Sequence, residues 1–220
     1  MTFLRTLVLS LFSLVVALSG AVILAVIGAA IYFSPGLPDV RQLQDFELHT
    51  PLRIFTNDGK LIGEFGEERR MAIDFDEIPQ DMINALIAAE DASYFDHTGV
   101  DPRGLARAAV ELVQSGGTIQ SGGSTITMQV ARNYMLTLDQ TFTRKIREIL
   151  LALQMEQILD KEEIFELYVN KIFLGNRAYG IAAAAETYYD KPLAELSLAE
   201  TAMIAGLPKA PSAFNPLANS

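Results

Sequence analysis

Pro79-Gln80-Asp81-Met82-Ile83-Asn84-Ala85-Leu86-Ile87-Ala88-Ala89-Glu90-Asp91 carries both the fold class and the functional question. Pro79 sits where a helix can begin, because its fixed φ suits a first turn and its missing N–H is one the helix does not use. Ile83 and Ile87 follow at i and i+4, Leu86 is adjacent, and Glu90 continues the same row at i+7. The spacing predicts a helix over 79–92 with a carboxylate on its core-facing stripe. Glu90 also lies near the helix C-terminus, where the macrodipole opposes negative charge, and Asp91 stands beside it. Desolvation, dipole and like charge all disfavour an ionised carboxyl. That combination does nothing for stability but suits a proton acceptor. The competing reading is a Glu capped by a nearby cation, Arg103 or Arg107.

Working outward, apolar spacing predicts further helices over 102–114, 124–136, 140–159, 161–171, 178–189 and 197–206. Asp160 with Glu163, and Ser197 with Glu200, have the cap-to-third-residue spacing of a capping box. Upstream, Leu52-Arg53-Ile54-Phe55 and Leu61-Ile62-Gly63-Glu64-Phe65 flank Asn57-Asp58-Gly59, a hairpin signal. Gly116-Gly117 and Gly122-Gly123 bracket a polar loop. The fold class expected is mainly α, with a short N-terminal β-hairpin and no strand–helix alternation of the kind that builds a parallel sheet.

Leu7 to Phe33 is uncharged and mostly apolar, longer than the ~20 residues a helix needs to cross a bilayer. It also exceeds the roughly 7–15 apolar residues of a cleavable signal, so it reads as an anchor. The small residues Ala17-Leu18-Ser19-Gly20-Ala21 leave cleavage as the minor alternative. Arg5 precedes the run and Asp39 is the first charge after it, which puts the N-terminus in the cytoplasm and the remainder outside. The chain thus divides into a cytoplasmic tail (1–5), a transmembrane anchor (6–34), a juxtamembrane linker (35–50), a hairpin segment (51–78) and a helical domain (79–220).

Over 220 residues the formal net charge is −10, which argues against a nucleic-acid partner. The absence of cysteine excludes disulfides, zinc fingers and thiol nucleophiles. His49 and His97 sit in unrelated contexts, so no multi-histidine metal site is expected. Chemistry is left to carboxylates, hydroxyls, amides and cations.

A second carboxylate lies in Arg144-Lys145-Ile146-Arg147-Glu148. Phe142, Ile146, Ile149, Leu150 and Leu153 form the expected core stripe of that helix, with Arg147 and Gln154 facing water. Arg144, Glu148, Leu151 and Met155 make a different row, so Glu148 has apolar neighbours and faces Arg144 one turn back. An ordinary i,i+4 ion pair and a cation cluster for a polyanionic substrate both fit. Gly122-Gly123-Ser124-Thr125 leads into a helix bearing Gln129, Arg132 and Asn133, where free amides could take anionic oxygens. It lacks the Lys-Ser/Thr ending of a nucleotide-binding loop.

Five stretches in order carry a family likeness. Residues Glu90 to Asp101 (EDASYFDHTGVD) resemble the first signature of the peptidoglycan glycosyltransferases, the family-51 transglycosylases. Gly122 to Asn133 (GGSTITMQVARN) resembles the second, Arg144 to Glu148 (RKIRE) the third, and Glu166 to Gly175 (ELYVNKIFLG) the fourth. Ala205 to Ser212 (AGLPKAPS) is similar to the fifth. With the anchor and hairpin ahead of them, the set is similar to the N-terminal half of a class A penicillin-binding protein.

The resemblance implies a lysozyme-like helical fold on the outer face of the cytoplasmic membrane, polymerising lipid II into β-1,4 glycan strands. It implies Glu90 as the base that deprotonates the acceptor 4-hydroxyl, which attacks C1 of the donor with inversion and expels undecaprenyl diphosphate. Glu148 would be the second catalytic carboxylate, on the donor side, and would hold a divalent cation (Mg or Mn) if one serves the diphosphate; no cofactor is obligatory. Arg132, Arg144 and Lys145 would neutralise the diphosphate, while Ser124, Thr125 and Gln129 would hold it and the sugar. Asp91 would stand at the substrate side of the same loop, orienting it, with His97 and Asn170 structural. Implied partners are lipid II, the growing strand, the membrane and other cell-wall synthesis proteins.

Two departures stand out: Tyr94 occupies a position the family usually gives to Phe, so the aromatic wall is expected to gain a hydroxyl, and Arg132 stands where some relatives have Lys. No Ser-x-x-Lys and Lys-Thr-Gly set of a transpeptidase is present, and another helix of the domain is expected after Ser220. The alternatives are a lysozyme-like glycan-cleaving enzyme, which would need no diphosphate-binding cations, and a non-catalytic membrane-anchored cell-wall scaffold.

Overall fold

The computed structural model describes residues 2–44, 52–58, 61–65, 69–115, 123–136 and 141–217. His49, Gly59, the Gly116-Gly117 pair and Gly122 lie outside the described residues. The first helix, α1 (Thr2–Phe33), is unbroken, and Leu9–Phe33, 25 residues, is long and apolar enough to cross a membrane. None of that stretch is buried inside the protein, so its Leu, Val and Ile side chains need another apolar surrounding. The juxtamembrane stretch is not wholly loose: Asp39 caps a short 3₁₀ turn, and Val40 and Leu43 bury their side chains in the core.

Strands β1 (Leu52–Phe55) and β2 (Leu61–Phe65) form the expected antiparallel hairpin, pairing Leu52 with Phe65. A second ladder was not foreseen. Strand β3 (Arg69–Arg70) runs parallel to β4 (Ala178–Tyr179), joining the hairpin region to a segment over a hundred residues away. Ala178 and Tyr179 were expected to open a helix. That helix instead starts at Ile181, because Gly180 has φ 90°, a conformation that interrupts helical hydrogen bonding.

The helices are α2 (Gln80–Glu90), α3 (Pro102–Gln114), α4 (Ile126–Met135), α5 (Phe142–Met155), α6 (Lys161–Lys171), α7 (Ile181–Tyr189) and α8 (Leu198–Gly206). The fold is therefore mainly α, as expected, and most boundaries agree within two residues. Both anticipated capping boxes form, at Asp160/Glu163 and Ser197/Glu200. The α5 helix ends at Met155 rather than 159, in a turn closed by the Leu159 N–H on the Met155 carbonyl at 2.8 Å.

At the centre lies α4, whose first six residues, Ile126 to Ala131, are all buried between α5 and α6. A helix covered this completely can aim its few polar side chains only at other protein groups or into a cleft. Gly99 makes the approach of the preceding loop possible: its φ is 87°, and a Cβ there would stand 2.6 Å from the Ala152 carbonyl oxygen.

The face of α5 differs from expectation. The row carrying Glu148, Leu151 and Met155, with Ala152, is the buried one. Phe142 is 81% exposed and Leu153 40%, while Ile146, Ile149 and Leu150 are half-buried. Helix α1 and the Val40–Leu43 turn lie against α5, so Arg147, expected in water, has a fully buried Nε. The helix has two apolar rows, and α4 packs on the row bearing Glu148.

Candidate active site

Glu90 is the last residue of α2 and is half-buried. It lines a cleft of about 290 Å³ together with Ser93, Arg103, Arg107, Gly123 and Ser124. The neighbouring cations do not cap it: among the described residues, Glu90 makes no ion pair, and Arg103 and Arg107 stand exposed along the cleft. Its anchor is an amide. Gln129 Nε2, from the buried helix α4, donates to Glu90 Oε2 at 2.8 Å. Gln129 is only 9% exposed, and its amide is directed at the carboxylate.

Asp91 is the C-cap of α2 and buried. Its Oδ2 accepts from the Ile126 N–H at 3.0 Å, and its carboxylate meets His97 Nε2 at 3.0 and 3.2 Å. These bonds tie the end of α2, the 91–101 loop and the first turn of α4 into one unit. With its oxygens thus engaged, Asp91 contributes position rather than a free acceptor, and His97 is structural in the same sense.

Thr125 caps α4, accepting from the Met128 N–H at 3.1 Å, and its own hydroxyl donates to the Gly99 carbonyl at 2.6 Å. At 3% exposure it lines the Glu90 cleft with its hydroxyl hydrogen already engaged. Tyr94 departs from expectation. It is fully buried and donates to the Lys161 carbonyl at 2.7 Å, so it belongs to the core, and Phe95, 54% exposed, is the aromatic at the surface. Burial first, then nearby Glu156, pushes the Tyr94 phenol far above its ordinary range.

The second carboxylate is enclosed. Glu148 is 1% exposed, is not among the residues lining the Glu90 cleft, and lies 3.4 Å from Arg144 and 3.2 Å from Lys145 Nζ. It is a counter-charge beneath two cations, not a group open to the cleft. Lys145 Nζ also donates to Ser124 Oγ at 2.6 Å, and Ser124 lines the Glu90 cleft. A continuous path therefore runs from that cleft through Ser124 and Lys145 to Glu148. Burial lowers Lys145 below the ordinary lysine value; Glu148 opposes that shift, while Arg132 and Arg144 add to it. Arg132, in the last turn of α4, bears electrostatically on both Lys145 and Tyr168.

Glu148 is a lone carboxylate with two cations within 3.4 Å, and no group of three acidic or histidine side chains that could hold a metal occurs among the described residues, so a divalent cation at the diphosphate would take most of its oxygens from the diphosphate and water. Asn170 is structural: its amide clasps residue 73, donating to the Ile73 carbonyl at 2.8 Å and accepting from its N–H at 3.0 Å. Tyr168, one turn before α6 ends, was read only as part of a signature. An aromatic at a core position of a helix gives no signal of a site, yet its hydroxyl is buried without a hydrogen-bond partner.

Comparison with known proteins agrees with the likeness read from the motifs. The chain is 61% identical to penicillin-binding protein 1A of Pseudomonas aeruginosa over 93% of its length, covering 25% of that protein. It is 47% identical to the Vibrio cholerae protein of the same name over 95% of its length, and 52% identical to the Escherichia coli one over 84%. A crystal structure of penicillin-binding protein 1A from Haemophilus influenzae aligns at 36% identity and a TM-score of 0.42, covering 79% of this chain and 16% of that one. This chain thus spans about a quarter or less of the relatives it matches. Residues 58–220, which include both carboxylates, the cation cluster and the buried helix between them, match the transglycosylase family, and the chain belongs to it.

Proposed function

We propose that this chain polymerises lipid II into β-1,4 glycan strands, with Glu90 as general base. The observation that carries the reading is the amide-held Glu90 in a cleft whose wall, Ser124, is bonded to a lysine in a cluster with two arginines. A sugar hydroxyl in that cleft would give its proton to Glu90 while its oxygen attacks the anomeric carbon of the donor. Attack from the face opposite the leaving group inverts that carbon, and the electron pair of the breaking C–O bond departs with the diphosphate. Arg132, Arg144 and Lys145 would take up the charge that develops there. A diphosphate leaves readily, so no strong acid need stand opposite the base. Glu148 would hold the two cations of its own helix in place.

The surroundings support a membrane-borne substrate. Helix α1 is suited to anchoring, and the outward apolar row of α5, with Phe142 81% exposed, adjoins it. Arg5, ahead of the uncharged Leu7–Phe33 run, supports an N-terminus inside and a catalytic domain outside, where wall precursors and other wall-synthesis proteins would meet it. A glycan-cleaving enzyme would have no use for the Arg132–Arg144–Lys145 cluster, and a scaffold none for an amide-held carboxylate in a cleft. The test is the protein in bilayers with labelled lipid II. Polymer from the native chain and none from Glu90→Gln, with lipid II still bound, is the expected outcome. Shortened sacculi without polymer, or normal turnover by Glu90→Gln, would overturn the reading.

A further inference from the structure

Arg103 and Arg107, one turn apart on α3, line the same cleft as Glu90 and have no part in the chemistry described above. Packing fixes where they sit. Each is followed by a small buried residue, Gly104 and Ala108, and these two lie against the turn that precedes α4. A Cβ at Gly123 would stand 2.9 Å from the Ala108 Cβ and 3.5 Å from the Gly104 carbonyl oxygen. Glycine at 123 therefore lets α3 approach closely, and the approach brings both arginines to the cleft shared by Glu90 and Ser124. The start of α3 is held as well, with Asp101 accepting from the Arg103 and Gly104 N–H groups at 2.9 Å each.

The charges along this wall do not balance. Asp101 has both oxygens on the α3 cap, and Asp91 is held by His97 and the Ile126 N–H. Among the described residues neither guanidinium forms an ion pair, and both arginines are exposed. Like charges one turn apart weaken a helix, so the pair does nothing for the stability of α3. The cations assigned to the donor diphosphate are a separate group: Arg132, Arg144 and Lys145 do not line this cleft, and Lys145 reaches it through Ser124 at 2.6 Å. Ser124 thus adjoins two groups of cations, and an enzyme that polymerises lipid II binds two anionic substrates, a donor and an acceptor.

We propose that Arg103 and Arg107 form an anion site for the acceptor, binding an anionic group of the lipid II whose 4-hydroxyl meets Glu90. The proposal rests on the reading of Glu90 as base. The anion is a carboxylate of the peptide stem or the acceptor's own diphosphate, and a guanidinium fork pairs with either. With that anion in place the two guanidinium groups are satisfied by substrate. They then do not pair with Glu90, whose lone pair stays open to the hydroxyl proton.

Two lipid II analogues separate the substrates. A labelled 4-deoxy form has no hydroxyl to attack with and serves only as donor. A form with CH2 in place of the anomeric oxygen has no leaving group and serves only as acceptor. Single transfer between them is measured with the full chain in bilayers, native and carrying Arg103→Gln with Arg107→Gln, beside a thermal melt. The double variant should melt as native does, raise the acceptor KM about 10- to 100-fold and leave the donor KM within about twofold. An acceptor with amidated stem carboxylates identifies the anion. If native protein shows the raised KM with it, the stem is bound; if only the double variant is impaired, the diphosphate is. A native acceptor KM in the double variant, or a donor KM that rises as much, would overturn the proposal. Binding of the acceptor-only analogue to Glu90→Gln, with and without the arginine changes, keeps the two readings apart. If Glu90→Gln transfers normally, the base assignment fails while acceptor affinity still tests the arginines. If it is inactive and acceptor affinity does not depend on the arginines, only their role fails.

Discussion

Gln129 and Glu90 meet by a 2.8 Å hydrogen bond that joins the buried helix α4 to the last residue of α2. A carboxylate at the open end of a helix would otherwise swing among rotamers, and a base must hold its lone pair toward one hydroxyl. Gln129→Ala should therefore reduce polymerisation by about 10- to 100-fold in kcat with little change in KM. The stability loss should be only about 1 kcal/mol, since Glu90 is half-exposed and water can replace the amide. Steady-state kinetics beside a thermal melt would separate the two effects, and an unchanged kcat would remove Gln129 from the machinery.

Lys145 should limit activity on the alkaline side. Burial lowers its proton affinity below the ordinary value of 10.5, against the pull of Glu148. Its ammonium, and with it donor binding, should be lost at lower pH than an exposed lysine would allow. Lys145→Arg keeps its charge throughout, so the alkaline fall-off in that variant should move to higher pH. The same shift affects stability. Between the folded-state value and 10.5 the unfolded chain binds the extra proton, so this group's contribution rises with pH across that window. A pH series of rate and of denaturant midpoint checks both signs.

Asn170 and Ile73 are 97 positions apart, and the side-chain amide of Asn170 makes two hydrogen bonds to the backbone of Ile73. Asn170→Ala would leave the Ile73 N–H and carbonyl unpaired at a part-buried position, at a cost of roughly 2 kcal/mol. Hydrogen exchange should show the Ile73 amide losing protection in that variant, while the α4–α5 contacts around Lys145 keep theirs. Uniform loss across the domain would mean the clasp supports the whole fold rather than one edge of it.

Local features were legible because they depend on neighbours along the chain. The two capping boxes, Pro79 at the head of α2 and the uncharged length of α1 need no knowledge of the fold. The placement of Glu90 at the exposed end of an otherwise apolar row belongs to the same class, as does the Arg144–Glu148 pair at i,i+4. Such rules act over one or two turns, and the side chains obey them wherever the helix is put.

What a helix packs against is settled elsewhere in the chain. On α5 the apolar spacing supplied two rows, and only the position of α4 decided that the row with Glu148 would be enclosed while Phe142 turned outward. The partners of polar groups followed the same logic: Thr125 went to Gly99, Gln129 to Glu90, and Ala178–Tyr179 to a ladder with Arg69–Arg70. Periodicity fixes the direction in which a side chain points. Which atoms wait there depends on contacts between distant segments, and those are set by the burial of the whole core.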